Sequence, residues 1–332
     1  MLPGEGKRKM DIQCELCPRG CLVKPGQSGD CRIRVNLDGK LLAVTYGFPC
    51  SMHVDPVEKK PLFHFMPGTR TFSMATVGCT MHCKNCQNWE ISQSPPHLVD
   101  VCQVSPDQLV QMAKRYECPS ISYTYTDPAA YYEYALDCSI KAREAGLKNI
   151  LVTAGYINRK PYRQLCRYVD AATIDVKAMS DKFYREVCGS TLAPVLDTVI
   201  STKEMGVELE VSNLVIPTLN DSDAMLSAFV KWVKDNLGKD TPLHFLKFVP
   251  YYLMRNLPPT SEETMGRARD IAKAAGMEYV YVGNILNEQW TCTFCPGCGG
   301  ELVRRHNMVM MENNLSDGKC PKCGKKIYGV WK

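Results

Sequence analysis

From residue 71 to residue 282, short runs rich in apolar and β-branched residues alternate with longer stretches whose apolar positions recur at helical spacing. Strands are expected at residues 71–78, 120–125, 148–153, 172–177, 207–215, 243–249 and 279–282. Helices are expected at 105–116, 129–145, 161–169, 181–188, 194–205, 221–237 and 261–275. The punctuation supports these limits. Ser105 followed by Pro106 is a helix start, and Gly146, Gly189, Gly206, Gly238 and Gly276 stand where helices should stop. Pro217 and Pro250 follow strands that they would end. Strands that alternate with helices imply an α/β fold with a parallel sheet, because parallel neighbours need long crossovers. Six or seven such units fit an open or partial βα barrel better than a flat doubly wound sheet. Either arrangement gathers its chemistry at the carboxyl ends of the strands. Cys79, Asp127, Asp175 and Asn284 all fall at or near such ends.

The chain has 332 residues, of which 45% are hydrophobic and 23% charged. That is a globular balance, and disorder is excluded. No run approaches the roughly 18 apolar residues of a membrane span. Residues 1–10 carry charges with no apolar stretch behind them, so neither a signal peptide nor an anchor is expected, and the chain reads as cytoplasmic. The anomaly is the count of 18 cysteines, too many for a reducing compartment unless most are buried or bound to metal. Six of them, Cys50, Cys102, Cys118, Cys138, Cys166 and Cys188, are scattered and read as small buried hydrophobes. The rest form three groups.

The central group is Cys79, Cys83 and Cys86. Three thiolates on a four-iron cluster leave one iron without a protein ligand, and an open position is what a catalytic metal site requires. A zinc site here would need a fourth ligand, and His82 is the local candidate; otherwise His82 is a loop residue. The tail, Cys295-Pro296-Gly297-Cys298 and then Cys320-Pro321-Lys322-Cys323, has zinc-ribbon spacing. Cys292 is left over there. The head, Cys14, Cys17, Cys21 and Cys31, offers four ligands that suit zinc or an auxiliary iron–sulfur cluster. The formal charge of +5 would fall near zero, since each four-thiolate zinc site adds about −2 and a three-thiolate cluster about −1. Charge therefore makes no case for nucleic acid as a partner. The expected organisation is a Cys-rich segment at 1–68, a barrel at 69–288 and a zinc-ribbon-like tail at 289–332.

Cys-x3-Cys-x2-Cys after the first strand of a partial barrel resembles the signature of radical S-adenosylmethionine (SAM) enzymes. Further stretches narrow the resemblance: residues 86–93 (CQNWEISQ), 55–65 (DPVEKKPLFHF), 123–128 (YTYTDP), 174–177 (IDVK), 216–221 (IPTLND) and 281–284 (YVGN). Together they look like the radical SAM group named for the AmmeMemoRadiSam system, related to pyruvate formate-lyase activating enzymes. The resemblance runs from about Cys14 to Trp331. It implies a partial (β/α)6-type barrel in which Cys79, Cys83 and Cys86 hold a 4Fe–4S cluster whose open iron takes SAM. Reductive cleavage would give a 5'-deoxyadenosyl radical that abstracts hydrogen. By the same resemblance Thr126 and Asp127 receive the SAM ammonium, and Asp175 and Lys177 face SAM, with Lys177 neutralising its carboxylate. Asn85 replaces the usual aromatic residue, Ala154 the usual Asn and Asp127 the usual Glu.

The implied partners are an external electron donor of flavodoxin or ferredoxin type and a protein substrate. A small molecule or an RNA is the alternative substrate, and a metal-bound scaffold or electron carrier the non-enzymatic alternative. A carrier would give its cluster four cysteines rather than three. The motif from Asp55 to Lys60 is either a solvated loop or a contact for an anionic substrate. Cys188 is either a buried thiol or a hydrogen donor near the same face.

Overall fold

The computed structural model describes residues 10–306 and 308–332, so the reading of the first nine residues lies outside the described ones. The expected alternation produces one eight-stranded sheet. Its strands are β1 (Pro49–Pro56), β2 (Arg70–Thr76), β3 (Ser120–Tyr123), β4 (Lys148–Thr153), β5 (Ala171–Asp175), β6 (Glu208–Val215), β7 (Leu243–Lys247) and β8 (Val280–Gly283). They lie side by side in chain order, β2 to β8 all parallel, with β1 antiparallel to β2 at one edge. Six main helices make the crossovers: α1 (Pro106–Arg115), α2 (Tyr132–Glu144), α3 (Arg159–Cys166), α4 (Leu192–Glu204), α5 (Asp223–Leu237) and α6 (Glu262–Ala274). Since, among the described residues, β8 pairs only with β7 and β1 only with β2, the barrel is partial.

Side chains alternate between two layers. Phe72, Ile121, Tyr123, Leu151, Val211 and Phe245 belong to the buried core beneath the helices. The opposite positions, Thr71, Ser73, Ser122, Thr173 and Ser212, are buried and polar, and they line the concave side. Helix α1 starts as expected. The Ser105 hydroxyl accepts from Gln108 N–H at 3.2 Å, and Gln108 Oε1 accepts from Ser105 N–H at 2.8 Å. Such a box contributes about 1 kcal/mol.

Most boundaries shift by one to three residues, and three differences have a structural cause. The helix expected from 129 begins at Tyr132, because Ala129 and Ala130 donate their N–H groups to Asp127 and close a turn instead. The stretch 181–188 divides into a short helix, Asp181–Phe183, and a π-helical turn, Tyr184–Cys188, ended by Gly189 at φ 61°. The sheet also reaches back across the boundary expected at residue 69, since β1 comes from the Cys-rich side. Before it stand two hairpins, Ile12–Gln13 with Leu22–Val23 and Arg34–Leu37 with Lys40–Ala43. After β8, Thr293–Phe294, Glu301–His306 and Val309–Asn313 form a three-stranded antiparallel sheet. Among the described residues no helix is long and apolar enough to cross a membrane.

Residues 56–66 and the tail close the floor of the barrel. Glu210, fully buried on β6, accepts the N–H groups of Phe63 and His64 at 2.7 Å each and pairs with His244 at 2.6 Å. Arg305 of the tail is 0% exposed. It donates to Phe63 O at 2.6 Å, lies over the Phe63 ring at 4.3 Å and stands 3.8 Å from Glu58. A buried guanidinium is tolerated only with such partners.

Candidate active site at the carboxyl edge of the sheet

The loop after β2 carries Cys79, Cys83 and Cys86, all half-buried. Gly78 precedes it at φ 97°, where a Cβ would stand 2.7 Å from Ile33 Cγ2 and 2.8 Å from Cys31 O. Only glycine permits this turn against the N-terminal segment. The loop is tied from two sides. His82 N–H donates to Cys188 O and Lys84 N–H to Val187 O, both at 2.9 Å, so the π-helical turn holds its backbone. From the other side, Gln93 Nε2 donates to Met81 O at 3.0 Å, Ser92 Oγ lies 3.2 Å from Cys86 Sγ, and Asn88 Nδ2 donates to Tyr125 O at 2.8 Å. The stretch 86–93 is thus a set of braces for the cysteine loop. His82 is no ligand candidate in this arrangement: its Nδ1 meets Gln93 Oε1 at 2.7 Å and its Nε2 meets Asp30 at 2.6 Å.

Burial pushes the Cys79 thiol far up, with Asp127 and Cys83 adding to it. Cys83 is likewise raised, first by its contact with Cys188 and then by burial. Thiols so placed are poor nucleophiles and need a metal to become thiolates. Three of them on one short loop fit a cluster with an open iron.

Asp175 and Lys177 follow β5 on the same edge. Lys177 Nζ meets Asp175 Oδ2 at 2.6 Å, and Ser212 Oγ donates to the other oxygen of Asp175. Burial would lower Lys177, but Asp175 and Cys83 outweigh it and hold the ammonium above the ordinary lysine value. The Lys177 backbone is fixed by Tyr184 Oη at 2.9 Å from its N–H and by Asn213 and Asn220 on its carbonyl at 3.1 and 2.7 Å. Asn213 and Ser212 went unnoticed in the sequence, where they read as strand residues. Asn220 was visible only as part of the stretch 216–221.

Asp127 sits differently from the expectation of a free acceptor. It is 3% exposed, and its four hydrogen bonds come from the chain itself. Ala129 N–H donates at 2.9 Å, Ala154 N–H at 2.8 Å and Thr153 Oγ1 at 3.1 Å to each oxygen. The carboxylate therefore staples the loop after β3 to the loop after β4. Burial raises its pKa despite these donors. Thr126 Oγ1 donates to Thr76 O at 2.8 Å and binds its loop to the end of β2. Asn284, after β8, donates to Lys247 O at 3.3 Å.

Inside the barrel, below this edge, Asp55 gathers three donors: Lys59 at 2.7 Å, Lys60 at 2.6 Å and the Tyr125 hydroxyl. Burial would raise Asp55, yet these partners hold it well below the usual carboxylate range. Burial pushes Lys60, 2% exposed, down to about 8. Tyr125 has φ 63°, a strained value for a non-glycine residue, and its ring lies 4.6 Å from Lys60 Nζ. The motif from Asp55 to Lys60 is thus part of the barrel interior, and only Lys59 keeps the solvated character expected of a loop.

The tail cysteines form a different kind of group. Cys295, Cys298, Cys320 and Cys323 place their sulfurs all within 4.8 Å of one another, with pairs at 3.5 and 3.6 Å. Each pair sits on a tight turn: Gly299 N–H donates to Cys295 O at 2.8 Å and Gly324 N–H to Cys320 O at 2.9 Å. Cys292 is apart from them, its thiol 3.4 Å from Glu288 O and from Arg305 N.

The family model described as the Radical SAM superfamily matches residues 74–230, from β2 into α5. The uncharacterized protein MJ0808 of Methanocaldococcus jannaschii is 44% identical over 318 residues, 95% of each chain. The chain belongs to the radical SAM superfamily. Within that superfamily it is similar to the pyruvate formate-lyase-activating enzyme of Clostridium pasteurianum, 20% identical over 199 residues that cover 57% of this chain and 77% of that one. A radical SAM methyltransferase from Sphaerobacter thermophilus shares the fold, at TM-score 0.53 and 16% identity over 67% of this chain and 68% of that one. Radical SAM membership implies a 4Fe–4S cluster and SAM, and the three thiols of the β2 loop are a donor set that fits them.

Proposed function

We propose that this radical SAM protein cleaves SAM reductively on a cluster held by Cys79, Cys83 and Cys86, and uses the radical to abstract hydrogen from a protein substrate. The observation that carries this reading is the cysteine loop itself: three half-buried thiols, braced on both sides, beside the Asp175–Lys177 pair. When bound, the cluster with its open iron supplies the electron that breaks the sulfonium bond to give 5'-deoxyadenosyl radical. The chain's own residues bind and orient. Lys177, kept charged by Asp175, meets the SAM carboxylate in a charge-assisted bond of about 1.5–3 kcal/mol. Asn213, Asn220 and Tyr184 fix the backbone from which it reaches. Asp127 and Thr126 hold the neighbouring loop in shape, and that loop would supply acceptors for the amino group of SAM. Of its refinements, we assign the chain to the AmmeMemoRadiSam group on its motifs and read zinc into the tail cysteines, whose spacing suits one tetrahedral ion. The electron donor is a flavodoxin- or ferredoxin-type protein.

The likeness to activating enzymes supports a glycine C–H bond in a partner protein as the target. The test is anaerobic incubation with SAM, a reductant and extract from cells grown on deuterated glycine, followed by mass spectrometry of 5'-deoxyadenosine and electron paramagnetic resonance of the protein fraction. The reading expects one deuterium gained by 5'-deoxyadenosine and a glycyl radical signal in one protein. Hydrogen drawn only from the small-molecule or RNA fraction, with no protein radical, would replace the protein substrate.

A further inference from the structure

The N-terminal cysteines lie against the candidate active site. Arg19, between Cys17 and Cys21, donates from Nε to Thr80 O at 2.8 Å and from its other arm to Gly189 O. Asp30, beside Cys31, meets His82 at 2.6 Å. Cys31 O and the Ile33 side chain are the groups that a Cβ on Gly78 would strike. The N-terminal group thus contacts Gly78, Thr80 and His82, which surround Cys79.

The four thiols are neighbours. Cys14 N–H donates to Cys21 O at 2.8 Å across the first hairpin, and Cys17, raised mainly by burial, is raised further by Cys14, Cys31 and Cys21. Three of the four are buried. Yet their sulfurs are not drawn together as the tail's are. Zinc at about 2.3 Å from each sulfur requires sulfurs about 3.8 Å apart. Among the described residues only the tail set brings three or more ligand atoms all within 4.8 Å of one another. Neither the head cysteines nor Cys79, Cys83 and Cys86 draw three sulfurs that close together. Wider spacing is what separate irons demand, since each thiolate of a cluster binds its own metal.

We propose that Cys14, Cys17, Cys21 and Cys31 hold a second, fully ligated iron–sulfur cluster that relays electrons to the central one. Four thiolates leave it no open iron, so its part is electron transfer and not SAM chemistry. In the relay a reduced flavodoxin-type donor gives one electron to the N-terminal cluster. That cluster passes the electron to the central cluster and returns to its oxidised state, and no bond changes. A cleft of about 560 Å³ bordered by Arg19, Cys21, Asp30, Tyr156 and Arg185 brings solvent to the Cys21 side and gives the donor an approach. The relay, but not the cluster, rests on the radical SAM reading of the central cysteines.

The first test uses full-length protein carrying Cys79→Ala, Cys83→Ala and Cys86→Ala together, purified and reconstituted anaerobically. Iron and acid-labile sulfide should remain, with a reduced-cluster signal in electron paramagnetic resonance and about one zinc per chain. Iron lost relative to wild type reports on the central cluster alone, so the two readings fail separately. Loss of all iron, with zinc at about two per chain or with the head thiols free to alkylation, overturns the proposal. The second test uses Cys21→Ser in otherwise intact protein. SAM cleavage driven by reduced flavodoxin should fall about ten-fold or more, while cleavage driven by titanium(III) citrate should change by less than about two-fold. An equal fall with both reductants would make the site a brace for the cysteine loop and overturn the relay.

Discussion

The cysteine loop after β2 and the tail cysteines differ in what surrounds the sulfur. In the tail, four thiols face one point, and two of them, Cys298 and Cys323, are exposed. Cys295 and Cys320 cluster with Phe63, Tyr279 and Tyr281, but the tail's own core is small, and a metal would supply much of the order at the four sulfurs. On the β2 loop, the backbone that carries the three thiols donates to the Val187 and Cys188 carbonyls and accepts from Gln93, Ser92 stands beside Cys86, and the site's shape is set without metal. A group that completes its own coordination shell holds a fold together. A group that leaves one position open must have its geometry built by neighbours, here the stretch 86–93 and the π-helical turn.

The strongest way to break this contrast is to exchange the consequences. Cys83→Ala should remove the central cluster, with the iron attributable to it lost by elemental analysis, while the melting transition of the barrel changes little. Cys320→Ala should do the reverse: the tail metal is lost and residues 289–332 become sensitive to protease, since structural zinc contributes about 10 kcal/mol or more to folding. Central iron should persist. Cys292→Ala should keep the tail metal; its loss would mean that the wrong four ligands were chosen.

Asp127 sharpens the comparison, because it tests whether the braces matter. Asp127→Ala orphans Ala129 N–H, Ala154 N–H and the Thr153 hydroxyl in a buried place, which costs about 3 kcal/mol of stability by denaturant melts. SAM affinity should also fall about ten-fold, read by equilibrium dialysis, as the loop loses its shape. Unchanged stability with weakened SAM binding would mean that the carboxylate contacts SAM directly.

The most gradual effect lies at the seam between barrel and tail, spread over several pH units. Burial, with Glu210 nearby, pushes the Glu208 carboxyl up to about 8, and its Oε1 has no partner. The folded chain keeps a proton there that the unfolded chain releases near pH 4.5. Stability should therefore fall as pH rises from 4.5 towards 8, by at most about 1.4 kcal/mol per pH unit from this group. Glu208→Gln should flatten that slope in urea melts across the window.

The sequence made the parallel sheet and the central cysteines legible, because short apolar strands alternate with helices that carry clear start and stop residues, and the cysteine spacing is local. β1 escaped notice. It is an edge strand with two prolines and one fully buried polar residue, Asp55. The motif around it gave no mechanism for a physical reason: its partners are remote. Asp55 meets Tyr125, Phe63 and His64 meet Glu210, and Phe63 meets Arg305, across separations of 70 to 242 residues. The same limit holds at Asp127, whose donors, two backbone N–H groups and the Thr153 hydroxyl, are brought to it by the fold and leave no mark on composition or spacing.

The central claim is that the open cysteine site performs the chemistry and the closed one does not. Wild type, Cys83→Ala and Cys320→Ala are reconstituted anaerobically, reduced with dithionite and given SAM, and 5'-deoxyadenosine is quantified by chromatography. The account predicts 5'-deoxyadenosine from wild type and from Cys320→Ala, and none from Cys83→Ala. Product from Cys83→Ala at the wild-type rate would contradict it.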